Sequence, residues 1–357
     1  MAVTDTLNPI EFNRRQIAVS FLVFRRDGTQ ETIDINGDYR IRATISNAGF
    51  NGTGGSREVN LVIEGIPFDL MNRLSFISSY SSDDGQNIID CSRSMVTVQA
   101  GVKGNALATV FNGNISEAYA DYSAAPEVTF RVRANDFNIL SHDAGEPLNY
   151  RTPVHPVTIL SDICSHNGIT LYDHGGWGPK AEVMFNYLSG TPLSQIQQVV
   201  DSVHAQSQLD LNGSINAEKR FTATLPILHV WGQYARRGED VAKELIPIIS
   251  TENGMIGYPR YSPVGCRILS IFRPELTYFS LVNLKSRYLP AAWQDTDKQG
   301  YNQFNQLIHP DASKTPWDGY WLINSVNHDL SCEVPGGPWL TEVECVISDY
   351  PHYILSK

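Results

Sequence analysis

The residues best suited to catalysis lie in one short glycine-rich segment. Asp173 and His174 are neighbours and are followed by Gly175, Gly176 and Trp177. A carboxylate beside an imidazole is a combination that general acid–base catalysis uses. Neither a nucleophile nor a third metal ligand lies close to this segment in the sequence. A turn packed by Trp177 therefore competes with the catalytic interpretation.

Two carboxylates, Glu252 and Asp240, could by residue type form the acid pair of a carbohydrate hydrolase. Such an enzyme also needs an aromatic-lined sugar groove and one carboxyl group with a raised pKa. The sequence shows neither feature. A hydrolase is therefore kept as the alternative to a protein without catalytic activity.

No other pattern in the sequence predicts a cofactor or a metal site. The chain lacks a P-loop, a GxSxG elbow and an HExxH motif, and its nine histidines occur singly. The five cysteines are scattered and form no CxxC pair, at Cys91, Cys164, Cys266, Cys332 and Cys345. This arrangement predicts free thiols buried in a reducing cytoplasm. We expect no metal, no cofactor and no enzymatic activity.

The charge balance argues against nucleic acid and membrane surfaces as binding partners. The net charge is −11, from 27 basic and 38 acidic residues, whereas binding to phosphate requires clustered Lys and Arg. No stretch reaches the ~18 apolar residues of a membrane span, and the amino end has no apolar run typical of a signal peptide. The charge balance permits a surface or channel that repels DNA.

Secondary-structure elements must position these residues. The first ~150 residues of the chain are predicted to be β-structure. Apolar side chains alternate or run continuously in the predicted strands, at residues 16–24, 39–46, 58–63 and 127–134. Asn36-Gly37 predicts a hairpin turn, and Pro67 permits a short helix after it. Glycine-rich residues 49–55 and acidic residues 81–85 are predicted to be exposed loops.

Residues 151–224 show a different pattern, a helix followed by a strand, which occurs twice. The first helix is predicted over residues 156–167 and ends before Gly168. The second begins with Thr191 as N-cap and Pro192 at the first helical position. A strand is predicted after each helix, at residues 169–172 and 209–211.

Strands return in the last third of the chain. They are predicted at residues 227–231, 265–272, 279–286, 320–329 and 339–348. The chain is therefore predicted to be mainly β with an α+β insert. The predicted regions are residues 1–150, 151–224 and 225–357.

Two stretches resemble baseplate hub proteins of contractile-tailed bacteriophages and of related contractile injection systems. Residues 98–134 contain a glycine-marked turn, a strand ending in the pattern F-x-G-x-I and a strand of alternating residues. Residues 251–286 open with the pattern GMIGxP, and the strand at 319–328 and a tryptophan-containing return strand follow. The residues that carry the resemblance are Gly101, Gly113, Gly254, Met255, Ile256, Gly257, Pro259, His328 and Trp339.

The resemblance implies both a fold and a function. Hubs of this kind resemble trimeric rings whose protomers each carry two related tube-type β-barrels, with small helix–strand domains outside. Six similar barrels then adapt a threefold spike to the sixfold tail tube around a DNA channel. The implied partners are further copies of the chain in a homotrimer, the spike protein, and tail tube or tube-initiator proteins. Wedge and tape-measure proteins are further candidates.

As a hub, the chain would be a structural protein of the virion, placed in the tail baseplate and assembled in the host cytoplasm. We expect no catalysis, no membrane partner and no specific nucleic-acid binding. The channel is expected to be acidic, because clustered cations would retain passing DNA. Two other classes stay open: a tail-associated carbohydrate-active or peptidoglycan hydrolase, and a cellular β-rich binding module unrelated to phages.

Overall fold

The structure is a computed structural model that describes most of the chain. The described residues are 14–25, 29–36, 39–50, 53–75, 80–82, 88–90, 94–136, 144–210, 227–235, 243–262, 265–278, 280–286, 300–301, 307–308 and 318–347. They form two compact units. The larger unit contains the described residues up to 235 together with 327–339, and the smaller unit contains those between 243 and 326 together with 340–347.

The larger unit is built mainly from strands. In chain order its elements are β1 (Arg15–Phe24), β2 (Gln30–Asn36), β3 (Arg40–Phe50), β4 (Thr53–Glu64), α1 (Phe68–Leu74), β5 (Tyr80–Ser82), β6 (Ile88–Asp90), β7 (Met95–Val102), β8 (Ala108–Asp121), β9 (Thr129–Asn135), β10 (Leu148–Val154), α2 (Pro156–His166), β11 (Thr170–Asp173), β12 (Val183–Leu188), α3 (Pro192–Ser202), β13 (Gln206–Asp210) and β14 (Ile227–Trp231).

The smaller unit is also mostly β-structure, with short 3-10 turns at Lys243–Leu245 and Thr251–Asn253. Its strands are β15 (Ile248–Ser250), β16 (Arg260–Ser262), β17 (Gly265–Ile271), β18 (Leu281–Lys285), β19 (Gly300–Tyr301), β20 (Leu307–Ile308), β21 (Gly319–Cys332) and β22 (Trp339–Ile347). The last residues of β21, from Asn327 onward, and Trp339 belong to the larger unit.

An antiparallel sheet forms the main layer of the larger unit. Its strand order is β3-β4-β9-β8-β7-β1-β2, and β21 pairs with the other side of β3. Side chains alternate between the two faces because successive residues of a strand point in opposite directions. In β1, Ile17, Val19 and Phe21 are buried, and Phe130 and Val132 are buried in β9. The strands predicted at 16–24 and 127–134 are confirmed.

Two predicted turns in this sheet are wrong. Strand β2 pairs with β1, and the hairpin closes where Arg25 N–H donates to the Thr29 carbonyl at 2.9 Å. Asn36 therefore ends β2 instead of joining two paired strands, and Gly37 lies outside the described residues. The predicted loop at 49–55 is largely strand, because β3 and β4 extend to the pair Phe50–Thr53. Strand pairing therefore continues into a segment that its glycine content predicts to be a loop.

The predicted helix–strand part is confirmed in its elements. The His155 side chain caps α2, and Thr191 caps α3 by accepting a hydrogen bond from the Ser194 amide at 3.2 Å. The apolar face of each helix packs into one core cluster with Leu228 and Val230. Strand β14 lies in this part, parallel to β11 and antiparallel to β13, although the sequence grouped it with the C-terminal strands.

The smaller unit has its own hydrophobic core. Strand β17 lies between β16 and β22, and β18 pairs with β21 on one side and with parallel β15 on the other. Ile268, Val282, Ile323 and Val343 are among its buried core residues. The C-terminal strands predicted from the sequence are confirmed.

The mainly β architecture with a helix–strand insert is thus confirmed. The closure of the sheets into two similar barrels, the trimeric ring and the three predicted regions stay predictions. Of the helices in the described ranges, none is long and apolar enough to cross a membrane.

Candidate functional site

A histidine–aromatic cluster brings chemically active side chains together in the larger unit. It consists of Tyr172, His174, His229 and Trp231 on the adjacent parallel strands β11 and β14. Tyr172 lies directly opposite His229 in the register, and His174 follows the end of β11. Because side chains alternate along a strand, these residues share the face opposite to the one that packs on α2 and α3.

The rings of the cluster contact one another closely. His174 stacks on Trp231 with ring centroids 4.4 Å apart and 5° between the planes. Its Nε2 lies 2.9 Å from Nδ1 of His229, within hydrogen-bonding distance. Tyr172 meets His174 edge to face at 4.6 Å. The side chains therefore form one packed group in which the two imidazoles face each other through ring nitrogens.

Burial keeps His229 neutral near pH 7. The residue is 1% exposed, and desolvation lowers the pKa of its imidazole to about 4. Its Nε2 has no hydrogen-bond partner among the described residues. We assign the proton to Nδ1, which then donates to Nε2 of His174, because the other tautomer leaves a buried N–H without an acceptor. His229 has no free lone pair near solvent to act as a base.

Asp173 accepts two hydrogen bonds from the turn that follows it. Its Oδ1 accepts hydrogen bonds from the Gly175 amide and from Nε1 of Trp177, both at 2.8 Å. The His155 ring meets Trp177 edge to face at 5.4 Å. The structure therefore shows the alternative interpretation of this segment, a turn packed by Trp177.

The second predicted pair of carboxylates is not brought together by the described structure. Glu252 is exposed on the Thr251–Asn253 turn, and Asp240 lies outside the described residues. No group of three or more His, Cys, Asp or Glu side chains suited to a metal ion occurs within the described ranges. The predicted burial of cysteines is confirmed for Cys164, Cys266, Cys332 and Cys345, and Cys91 lies outside the described residues.

The signature residues Gly101, Gly113 and His328 lie on strands of the main sheet of the larger unit. Gly101 lies at the end of β7, and Gly113 lies within β8, where a Cβ would be 2.5 Å from the Asn135 carbonyl oxygen. His328 is buried on β21, and desolvation, with the nearby Arg57 guanidinium, lowers its pKa to about 4.

The predicted end of strand β8 at the pattern F-x-G-x-I is wrong, because β8 continues to Asp121. A register shift after Ile115 allows this, because the chain stays paired with β9 beyond the irregularity.

Trp339, the remaining signature residue of the larger unit, opens β22 and packs against β1. The Arg15 guanidinium lies 5.6 Å from the centre of its ring, a cation–π distance. The same guanidinium donates to the Gly337 carbonyl at 2.9 Å. Trp339 therefore fixes the start of the return strand.

The GMIGxP segment is hydrogen-bonded to β17. Gly254 follows the Thr251–Asn253 turn with φ +102°, a left-handed conformation that favours glycine. A Cβ at Gly254 would lie 2.5 Å from Cγ1 of Ile271. Met255 is buried and forms a bridge with Ser270. Beyond it, Ile256 is exposed, Gly257 has a positive φ and Pro259 is buried.

Sequence reasoning missed Arg273, which anchors this segment. Arg273 is buried, and its Nη1 donates to the carbonyls of Asn253 at 3.1 Å and Ile248 at 3.3 Å. Its amide donates to Oγ1 of Thr341 at 2.9 Å, and its guanidinium pairs with Glu275. A lone arginine in a loop gives no local signal of burial. Together these residues make a structural joint of the smaller unit.

The outward face of the main sheet carries paired charges. Arg133 pairs with Glu58 at 2.8 Å across β9 and β4, and Arg131 pairs with Asp121 at 2.6 Å. A carboxylate beside each guanidinium weakens its attraction for phosphate, because the local charge is largely compensated. These arginines therefore do not form a cationic patch.

Comparisons with known proteins concern the fold. No protein-family model matches the chain, and no curated protein matches it. A tail protein from Neisseria meningitidis MC58 aligns at 9% identity and TM-score 0.49, over 92% of this chain and 96% of that one. The E. coli c3393 protein, a type VI secretion component with similarity to T4 tail proteins gp27 and gp5, aligns at 8% identity and TM-score 0.47. That alignment covers 87% and 74% of the two chains.

A PdpA–VgrG complex is a further solved structure with a similar chain. It aligns at 10% identity and TM-score 0.48, over 96% of this chain and 68% of that one. The structural neighbours are thus a tail protein, a type VI secretion component and a PdpA–VgrG complex.

Proposed function

We propose that the chain is a structural baseplate hub of a contractile tail, a homotrimeric adapter between a threefold spike and the sixfold tail tube. One observation supports the proposal: the segments that resemble hub proteins form turns and paired strands. Residues 98–134 form β7, β8 and β9 in one antiparallel ladder. The GMIGxP segment, with left-handed Gly254, leads into β16 and pairs with β17.

The edges of the sheets support an assembled state. Strand β2 ends the sheet of the larger unit, with β1 as its hydrogen-bonded neighbour in the described part of the chain. An edge strand exposes unpaired backbone groups that proteins usually cover or block. Ring closure by three copies through heterologous contacts covers such edges.

The charge of the chain suits a channel that DNA passes. Three copies carry a net charge of 3 × −11, or −33. Paired arginines such as Arg131 and Arg133 add little affinity for phosphate, because each has a carboxylate partner. We propose an acidic channel and no specific binding of DNA, which moves through the ring during ejection.

In this proposal the chain is a virion protein without catalytic activity. Its partners are the spike protein and tail tube or tube-initiator proteins, with wedge and tape-measure proteins as further candidates. The packing of the histidine–aromatic cluster favours this function over a hydrolase, because Asp173 is engaged by Trp177 and His229 is buried. No described feature favours the hydrolase.

Native mass spectrometry of the purified full chain at micromolar concentration tests the proposal. A homotrimer of three 39.7 kDa chains is expected. A stable monomer or dimer would contradict the hub function. A cell-wall zymogram of the same sample is the matched control, since a clearing band would support the hydrolase instead.

A further inference from the structure

Two of the scattered cysteines meet in the smaller unit. Cys266 on β17 and Cys345 on β22 lie directly opposite each other in the antiparallel register, between the pairs Gly265–Val346 and Arg267–Glu344. They are 345 − 266 = 79 positions apart in the sequence. Sequence spacing therefore gives no sign of the contact.

The two thiols are shielded from solvent and contact each other. Cys266 is 5% exposed and Cys345 is 3% exposed. A hydrogen bond with the Cys266 sulfur, and then burial, raise the pKa of the Cys345 thiol well above its ordinary value. The pair is in the dithiol form in the structure.

The backbone geometry of this pair suits a covalent bond between the sulfurs. Residues directly opposite in an antiparallel ladder have Cα atoms about 4.5 or 5.5 Å apart. A disulfide requires a Cα separation of about 4.4–6.8 Å. We propose that Cys266 and Cys345 are a redox-active pair that closes into a cross-strand disulfide and staples β17 to β22.

The oxidation uses a small-molecule disulfide such as glutathione disulfide. The thiolate of one cysteine attacks a sulfur of the reagent and releases one glutathione thiolate, leaving a mixed disulfide. The thiolate of the second cysteine then attacks the protein sulfur and releases the second glutathione. The two cysteines lose two protons and two electrons, and one glutathione disulfide becomes two glutathione molecules.

The other two described cysteines serve as internal controls. Cys164 is buried on α2, where burial raises the pKa of its thiol to about 12. The thiol of Cys332 donates to the Tyr39 carbonyl at 3.7 Å. Within the described residues, neither has a cysteine opposite it as Cys266 and Cys345 have.

The staple also has a use that rests on the proposed function. A tail protein assembles in a reducing cytoplasm and leaves it at lysis, and disulfides persist in oxidising surroundings. Closing the pair after assembly would fix β22, which ends the described chain, to β17, the strand that is bridged to the GMIGxP segment. The chemistry of the pair itself does not depend on the hub function.

The test follows the linkage of the two peptides in the full-length protein. The reduced chain is incubated for hours at pH 8.5 with glutathione disulfide, because buried thiols of raised pKa react slowly. In parallel, the chain is refolded in a glutathione redox buffer, so that burial of the two thiols does not limit their reaction with glutathione. Remaining thiols are alkylated, and a non-reducing peptide map is read by mass spectrometry.

We expect one peptide pair linking Cys266 to Cys345, a mass loss of about 2 Da, and a rise in Tm on the order of 5 °C for the linked form. Cys345→Ser should abolish the link and the rise, whereas Cys164→Ser should leave both unchanged. The proposal is overturned if, after refolding, Cys266 and Cys345 are recovered alkylated or as separate glutathione adducts. A linked pair in a monomeric protein would uphold the staple while contradicting the hub.

Discussion

Replacing Gly113 by alanine should destabilise the larger unit through a steric conflict with the backbone. Gly113 lies in β8 opposite Val96 of β7. A Cβ there would lie 2.5 Å from the carbonyl oxygen of Asn135 and 2.7 Å from Cζ of Phe111. The oxygen belongs to β9, where Asn135 pairs with Asn114, so the neighbour cannot move without disturbing the ladder.

The expected magnitude combines two opposing effects. Overpacking typically lowers the free energy of unfolding by about 1–3 kcal/mol. The contact with rigid backbone places Gly113→Ala at the upper end, about 3 kcal/mol. Alanine also reduces the conformational entropy of the unfolded chain, and this offsets about 0.4–1 kcal/mol of the loss. The net loss in the free energy of unfolding is then about 2 kcal/mol. For a unit of this size, that corresponds to a fall in Tm of about 4–8 °C.

Gly101→Ala is the matched control because Gly101 lies in the neighbouring strand and belongs to the same signature set. A Cβ at Gly101 would lie 3.0 Å from Cδ2 of Leu107, the flexible end of a side chain. Leu107 can move, so the change in the free energy of unfolding should stay within about 1 kcal/mol.

Thermal and urea denaturation of the two variants, followed by circular dichroism, measure this difference. Both variants should retain the β-rich spectrum of the parent protein. If Gly113→Ala lost no more than about 1 kcal/mol of the free energy of unfolding, the close approach of β8 and β9 at this point would be refuted. A loss of about 2 kcal/mol in both variants would instead show that glycine is needed in these strands for another reason.

Three further predictions concern pH, capping and metals. The low pKa of about 4 for His328 means that only the unfolded chain binds its proton between about pH 6.5 and 4. The free energy of unfolding should therefore decrease as the pH is lowered through that window, by on the order of 3 kcal/mol for this group. A pH series on His328→Gln that kept the full slope would refute this. Thr191→Ala should cost about 1 kcal/mol in urea denaturation because the cap to the Ser194 amide is lost, whereas Thr191→Ser should recover most of it. Chelator should leave Tm unchanged, and a large fall reversed by one specific ion would reveal a metal site.

Much of the local structure could be predicted because local signals determine it. Thr191 and Pro192 define the start of α3, and alternating apolar residues define β9. Strand partners could not be predicted, since they depend on contacts between distant segments. The predicted turn at Asn36-Gly37 illustrates the limit: its dipeptide signal was clear, but β2 pairs with β1 and not with β3 in the described part of the chain.

The candidate site shows the same division between local and long-range information. The turn that engages Asp173 with Trp177 spans five residues and was one of two interpretations from the sequence. The contact between His174 and His229 joins strands 55 residues apart, and no local pattern indicates it. Cys266 and Cys345 likewise meet only because β17 and β22 pair.

The pairing of β17 with β22 also sets a time for the completion of folding during synthesis. Strand β17 ends at Ile271, but its partner is not complete until Ile347. At about 5–20 residues per second, a ribosome needs roughly 4–15 s to add the residues between these two points. Through this interval β17 lacks its partner β22, and β3 of the larger unit lacks β21 until that strand is complete at Cys332. A nascent chain that stalls before β22 would therefore present unpaired strand edges, and chaperones or proteases would meet it in that state.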